Sequence, residues 1–170
     1  MIEAMTVASM PADSRLLIAG TFDTPALEDE VRQLPSWHKV DFLGWRSREE
    51  VDRLFGRARV GLVLFHAGPN HDDSLPQKLF EYMLAGLPIV ASDFPLWREI
   101  VNEARCGILV DPLDARAAGE AVAFLLRHPE EAEDMGKRGQ EVVRQRYRWT
   151  NEADKLLSLY ASLTPTSYTT

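Results

Sequence analysis

Lys78 and Glu81 stand one helical turn apart in HDDSLPQKLFEYMLAGLPIVAS, residues 71–92, with Asp73 and Ser74 just ahead of them. A carboxylate can accept two hydroxyl hydrogen bonds, and an ammonium can neutralise an anion such as a phosphate. At about 100° per residue, Pro76, Leu79, Phe80 and Met83 share one helical face, while Ser74, Lys78, Glu81 and Ala85 share the opposite one. An apolar face thus anchors the segment and a charged face is left to meet a ligand. The alternative is an i, i+3 Lys–Glu pair on a solvated face, contributing only ~0.2–0.5 kcal/mol. Spacing alone does not separate the two.

The ends of this segment are set by local chemistry. Asp73 or Ser74 can act as N-cap, with Pro76 at the first helical position, where its missing N–H costs nothing. Gly86 occupies the place of a left-handed residue past the helix end, and Pro88 blocks continuation. These signals predict a helix from about 75 to 85.

The surrounding elements alternate. RLLIAG (15–20), KVDFLG (39–44), RVGLVLF (59–65), PIVAS (88–92) and GILVD (107–111) are short runs rich in Val, Ile and Leu. Their near-continuous apolarity predicts strands buried on both faces, as in a parallel sheet covered by helices. Between them lie TPALEDEVRQL, SREEVDRLFGRA with Ser47 as N-cap, PQKLFEYMLA and PLWREIVNEA. Such alternation predicts a Rossmann-like, doubly wound α/β fold. The 75–85 helix follows a strand and the loop HAGPNHDD, so its N-terminus falls at the carboxyl edge of the sheet, where open α/β sheets bind ligands. Free N–H groups and the helix dipole there suit a phosphate.

After the last strand only helices follow. Ala118, Ala121, Val122, Leu125 and Leu126 form a stripe behind an Asp114 N-cap. Pro129 opens a second helix, with Glu130 and Glu131 in its first turn. Ala153, Leu156, Leu157 and Tyr160 mark a third. Three such helices exceed what a small sheet needs for cover, which predicts that some of them pack on something outside this chain. MIEAMTVASMPADS resembles the tail of a helix and a loop, so the first strand–helix unit of such a sheet is expected to be missing. The expected organisation is one domain over 1–163, an N-terminally truncated fragment, and a tail over 164–170.

Composition narrows the partners. The 170 residues carry 19 basic and 26 acidic side chains, a formal charge of −7, so the overall field repels nucleic acid. Cys106 is the only cysteine, which excludes an internal disulfide, and its apolar context ARCGILVD favours packing over nucleophilic chemistry. No run approaches the roughly 18 apolar residues of a membrane-spanning helix. His66, His71 and Asp72 lie on a loop without zinc spacing, which points to solvation or substrate contact rather than a metal.

DSLPQKLFEYMLAGLPIVAS followed by DFPLWREIV resembles the nucleotide-sugar-binding half of family 4 retaining glycosyltransferases of the GT-B fold, the glycosyl transferases group 1. That family carries two acidic residues separated by seven others, and here these positions are Asp73, in place of the usual Glu, and Glu81. The resemblance runs from LLIAG through FLGW and GILVDPLD to YRWTNEADKLLSLY, nearly the whole chain. It implies the C-terminal half of a GT-B fold with extra C-terminal helices, bound to a UDP- or GDP-type sugar nucleotide. Asp73 and Glu81 are the pair it assigns to catalysis: Glu81 on the ribose hydroxyls and Asp73 on the transferred sugar. Amides from Ser74 through Gln77, Lys78 and Leu79 would approach the diphosphate, Pro76 having no N–H to give. Gly20 and Thr21 match a loop near the phosphates.

Trp45 falls in the region that meets the base, or is a packing aromatic. Glu99 matches a frequent family glutamate, but Phe94 and Pro95 replace the usual glycine pair, and a plain first-turn acid is the alternative. The resemblance implies no cofactor and no metal. It also implies a glycan or lipid-linked acceptor, a missing N-terminal acceptor-binding domain, and a cytoplasmic location, peripheral at the inner face of the membrane. Rivals are a GT-B-like sugar-nucleotide epimerase lobe and a non-catalytic Rossmann-like scaffold.

Overall fold

The computed structural model describes residues 1–68 and 74–163. After a 3₁₀ helix at Glu3–Thr6, the elements run β1 (Leu16–Ala19), α1 (Pro25–Arg32), a 3₁₀ helix at Pro35–Lys39, β2 (Val40–Gly44), α2 (Arg48–Phe55), β3 (Gly61–Val63), α3 (Gln77–Leu84), β4 (Ile89–Ser92), α4 (Pro95–Ala104) and β5 (Gly107–Val110). Three helices close the chain: α5 (Ala115–Arg127), α6 (Pro129–Arg146) and α7 (Trp149–Leu163). Each predicted strand and helix is present, and every strand pairing is parallel.

β4 is the centre. Its backbone pairs with β3 on one side and β5 on the other, Ile89 facing both Gly61 and Gly107. Successive side chains of a strand point to opposite faces. Accordingly Ile89 and Ala91 enter a cluster with Leu79, Met83, Trp97 and Cys106, while Val90 enters another with Leu16, Val110, Val122 and Leu125. All four β4 residues are buried, which is why this run reads as continuously apolar. Ser92, also buried, uses its hydroxyl to donate to the Phe65 carbonyl (2.8 Å) and to accept from the Phe65 N–H (2.9 Å). That pair of hydrogen bonds stitches the chain leaving β3 to the end of β4.

The sheet is not continuous. Among the described residues β1 pairs only with β2, and β3, β4 and β5 form a separate three-stranded sheet. A cavity of 740 Å³ is lined from one side by Leu17 and Ile18 of β1, from the other by Val60 and Leu62, and by Val122 and Leu126 of α5. The expected doubly wound arrangement of parallel strands and covering helices is thus present with an opening in it. Alternating local signals specify strands and their burial; they do not specify which edges meet.

The helix caps follow the sequence closely. The Ser47 hydroxyl accepts from the Glu50 N–H, and the Glu50 carboxylate accepts from the Ser47 N–H at 2.8 Å, a reciprocal capping box on α2. Thr24 caps α1 and Asp114 caps α5. α3 differs at its start. Pro76 is extended (φ −72°, ψ 134°) and takes the N-cap place itself, without a side-chain cap, so the helix begins at Gln77 rather than near 75. Its far end is as expected, with Gly86 left-handed at φ 73°.

α6 lies across the end of α3. A Cβ on Gly136 would stand 1.9 Å from the Gly86 carbonyl oxygen, and the Gln140 amide donates to the Leu84 carbonyl at 2.7 Å. α5 and α6 therefore belong to this fold rather than to an outside partner: α5 buries Ala118, Ala121, Val122 and Leu125, and α6 buries Gly136, Gly139 and Val143. α7 buries none of its residues, and Leu156, Leu157 and Tyr160 are exposed.

Candidate functional site

The face division of α3 is the one the periodicity predicts. Leu79 and Met83 are fully buried, while Lys78 is exposed and Glu81 is half-buried, with its side chain 27% accessible. Four contacts hold the helix in place: the Gly136 approach, the Gln140 bond, the apolar cluster beneath, and the Trp97 indole N–H, which donates to the Ser74 carbonyl at 2.6 Å. Lys78 and Glu81 both line the cavity between β1 and β3. On its other side Glu81 lines a second cavity of 630 Å³, shared with Gln77, Tyr147 and Trp149.

The Lys78–Glu81 ion pair allowed by the spacing does not form among the described residues. Lys78 instead extends over Phe65, with Nζ 5.8 Å from the ring centroid. Glu81 finds its partner on α2, where Arg48 Nη1 donates to Oε1 of the carboxylate. The pair is accessible, the Arg48 side chain being 60% exposed. Hydrogen bonding to Glu81, and then its charge, raise the Arg48 pKa above the ordinary guanidinium value.

Arg48 was not legible in the sequence, because its partner lies 33 residues away on another helix. The one available signal is that Ser47 caps α2, which puts residue 48 at the sheet edge. Beside Glu81, Tyr82 is mostly buried; burial first, and the Glu81 charge second, raise its phenol pKa. The Tyr82 ring packs edge-on against Phe55, with centroids 5.5 Å apart.

The amides at the start of α3 divide. Leu79 donates its N–H to the Pro76 carbonyl at 3.0 Å and buries its side chain, so it is withdrawn as a phosphate ligand. The preceding N–H groups, on Gln77 and Lys78, are the unpaired first-turn donors of α3 among the described residues. Ser74 is half-buried and its carbonyl is taken by Trp97.

Gly20 follows β1 with φ 138°, a conformation that favours glycine, and no atom lies within 4 Å of where its Cβ would be. Thr21 beside it is exposed. Trp45 follows Gly44 at the end of β2 and is 72% exposed, so it is not a packing aromatic. Gly20, Thr21, Trp45 and the start of α3 all follow the carboxyl ends of their strands. Glu99 is exposed on α4, while Phe94 is buried and stacks edge-on with Trp97 at 4.8 Å. Phe94 therefore has a packing role at the start of α4, while Pro95 beside it is exposed. His71, Asp72 and Asp73 lie outside the described residues. Among the described residues no group of three or more His, Cys, Asp or Glu is arranged to hold a metal ion, and no helix is long and apolar enough to cross a membrane.

The model of the glycosyl transferases group 1 family matches residues 1–142. The chain belongs to that family. It is 31% identical over 152 residues to a phosphatidyl-myo-inositol mannosyltransferase of Mycobacterium leprae, covering 89% of this chain and 38% of that protein. It is 30% identical over 137 residues to a D-inositol 3-phosphate glycosyltransferase of Corynebacterium urealyticum, covering 81% of this chain and 31% of that protein. It thus spans less than half the length of these curated relatives.

Among solved structures, Anabaena HepE in complex with UDP and glucose superposes with a TM-score of 0.81 at 18% identity, over 95% of this chain and 44% of HepE. Sucrose-phosphate synthase from Thermosynechococcus elongatus gives 0.73 at 22% identity, over 96% and 49%. These matches show the fold: the parallel α/β arrangement of this chain is shared with a little under half of each of those GT-B structures.

Proposed function

We propose that this chain is the donor-binding lobe of a retaining glycosyltransferase, which moves a hexosyl group from a UDP- or GDP-type sugar nucleotide to a glycan or lipid-linked acceptor. The carrying observation is the accessible Glu81 carboxylate on α3, beside Lys78 and the first-turn amides of Gln77 and Lys78 at the carboxyl edge of a parallel sheet. Glu81 accepts the two ribose hydroxyls. Lys78 and the amides of Gln77 and Lys78 face the diphosphate, with Gly20 and Thr21 closing over it. The exposed Trp45 ring offers a stacking face to the base. Asp73 takes a hydroxyl of the transferred sugar. Family relatives named as mannosyl- and glycosyltransferases, and a structural neighbour solved with UDP and with UDP-glucose, support this assignment.

In the reaction the bond between the anomeric carbon and the diphosphate oxygen breaks, a new bond forms from that carbon to an acceptor hydroxyl oxygen, and the acceptor proton passes to the departing diphosphate. Negative charge grows on the leaving diphosphate, and fixed cations and N–H dipoles stabilise it without reorganising. No metal is required for this step. The acceptor lobe and further cations for the diphosphate come from outside these 170 residues, so the chain alone binds donor without transferring sugar.

Amide spectra recorded while UDP, UDP-glucose, GDP or GDP-mannose is added test the assignment. Perturbation confined to Gly20, Thr21, Trp45 and residues 74–81 is expected, with affinity reduced at least about tenfold in Glu81→Ala, the loss of charge-assisted hydrogen bonds. No perturbation at millimolar nucleotide, or a Glu81→Ala protein that binds as the original does, would overturn it. Sugar transfer by this chain alone would overturn the division of labour between lobes.

A further inference from the structure

We propose that Arg48 is a positioning residue that sets the orientation of the Glu81 carboxylate, and so the selection of a ribose over a 2′-deoxyribose nucleotide. Arg48 is itself held on several sides. It follows the capping-box Ser47, so its backbone is fixed at the first turn of α2. Its Nε pairs with Asp52 Oδ1 at 3.1 Å, one turn along the same helix. Its guanidinium carbon stands 6.0 Å from the Phe55 ring centroid, and Phe55 in turn abuts Tyr82, the neighbour of Glu81. The free end of the fork reaches across to α3 and donates to Oε1 of Glu81 alone.

Two consequences follow from that geometry. A carboxylate has about four acceptor positions on two oxygens. Holding Oε1 by one donor restricts rotation of the group and leaves Oε2, which has no partner among the described residues, to accept from an incoming hydroxyl. Orientation is then in place before the ligand arrives, and less freedom is lost on binding. Charge is the second consequence. When a nucleoside covers Glu81, an unaccompanied carboxylate would exchange water for the hydroxyl hydrogen bonds only, whereas one paired with Arg48 also keeps its countercharge. Without ligand, an exposed pair of this kind contributes little to stability. That is too little to shut a ligand out, so the guanidinium is a guide rather than a lock.

Because this rests on the donor-binding assignment, the test must tell the two apart. Dissociation constants are measured by titration for UDP against 2′-deoxy-UDP, and for GDP against 2′-deoxy-GDP, on the unmodified chain, Arg48→Ala and Arg48→Lys. Amide spectra of both variants serve as the check on folding. The unmodified chain is expected to prefer the ribonucleotide of at least one pair. In Arg48→Ala the ribonucleotide should bind roughly tenfold more weakly, the loss of one charge-assisted contact, while the deoxynucleotide binds as before, so the preference collapses towards one. Arg48→Lys should recover part of it, since a single ammonium can still reach one oxygen but lacks the rigid fork. An Arg48→Ala chain that keeps the full preference overturns the positioning role and leaves the donor assignment standing. Tighter ribonucleotide binding in Arg48→Ala would also overturn it, showing the guanidinium to compete with the diol. Absence of any ribonucleotide preference in the unmodified chain removes the role of Glu81 and, with it, that of Arg48.

Discussion

At the scale of single residues, charge is disposed where water can reach it and the single thiol is hidden. Arg48 and Glu81 form an accessible pair, and Lys78 stands apart over an aromatic face. Cys106, fully buried just ahead of β5, is the contrasting case. Burial pushes its thiol up from 9.0 to about 11, which makes it an inert packing group. Below pH 9 the thiol is neutral in both folded and unfolded chains and contributes nothing to pH dependence. As pH rises past 9 the unfolded chain releases its proton while the folded chain retains it, so stability falls, by ~2–3 kcal/mol in all by about pH 11. Urea midpoints of the unmodified chain and Cys106→Ala, measured across that window, check this. The difference between the two should shrink steadily with pH, and parallel curves would contradict it.

At the scale of elements, α3 is the part that matters most, and α6 is what holds it. Helix packing this close needs a position without a side chain, and Gly136 provides it against the Gly86 carbonyl. A Gly136→Ala change must push α6 away from the end of α3, because the atom in the way is backbone. An overpacking cost of about 1–3 kcal/mol is expected by chemical denaturation, together with weaker nucleotide binding as Glu81 shifts from its partner. Unchanged stability would mean that α3 is positioned by its apolar face alone.

At the scale of the whole molecule, two parallel sheets share one set of helices but not one ladder of hydrogen bonds. β4, paired on both sides and fully buried, is expected to give the slowest amide exchange. The edges of β1 and β3 that face the 740 Å³ cavity should exchange far faster, because nothing among the described residues bonds to them. Hydrogen exchange followed residue by residue checks this, and uniform protection of β1, β3 and β4 would mean that the opening is closed in solution. Such edges and the bare apolar stripe of α7 are also the surfaces through which this chain can associate. The −7 net charge works against that association.

How much was legible in the residues follows the same scales. Strands, helices, the caps at Ser47 and Asp114, the left-handed Gly86 and the two faces of α3 were all readable, because each is decided within a few residues by apolar periodicity and by donors a helix end leaves free. The α3 start was misplaced by one residue or two, since Pro76 serves equally well in the first turn or just outside it. Glu81 stood out by type and place, but its partner did not. The Arg48 contact, the opening between β1 and β3, and the clasp of α6 on α3 join residues distant in the chain. No local pattern encodes them. Which edges pair and which charges meet is set only when the packed core brings the elements together, because those contacts depend on positions in space that local preferences leave undetermined.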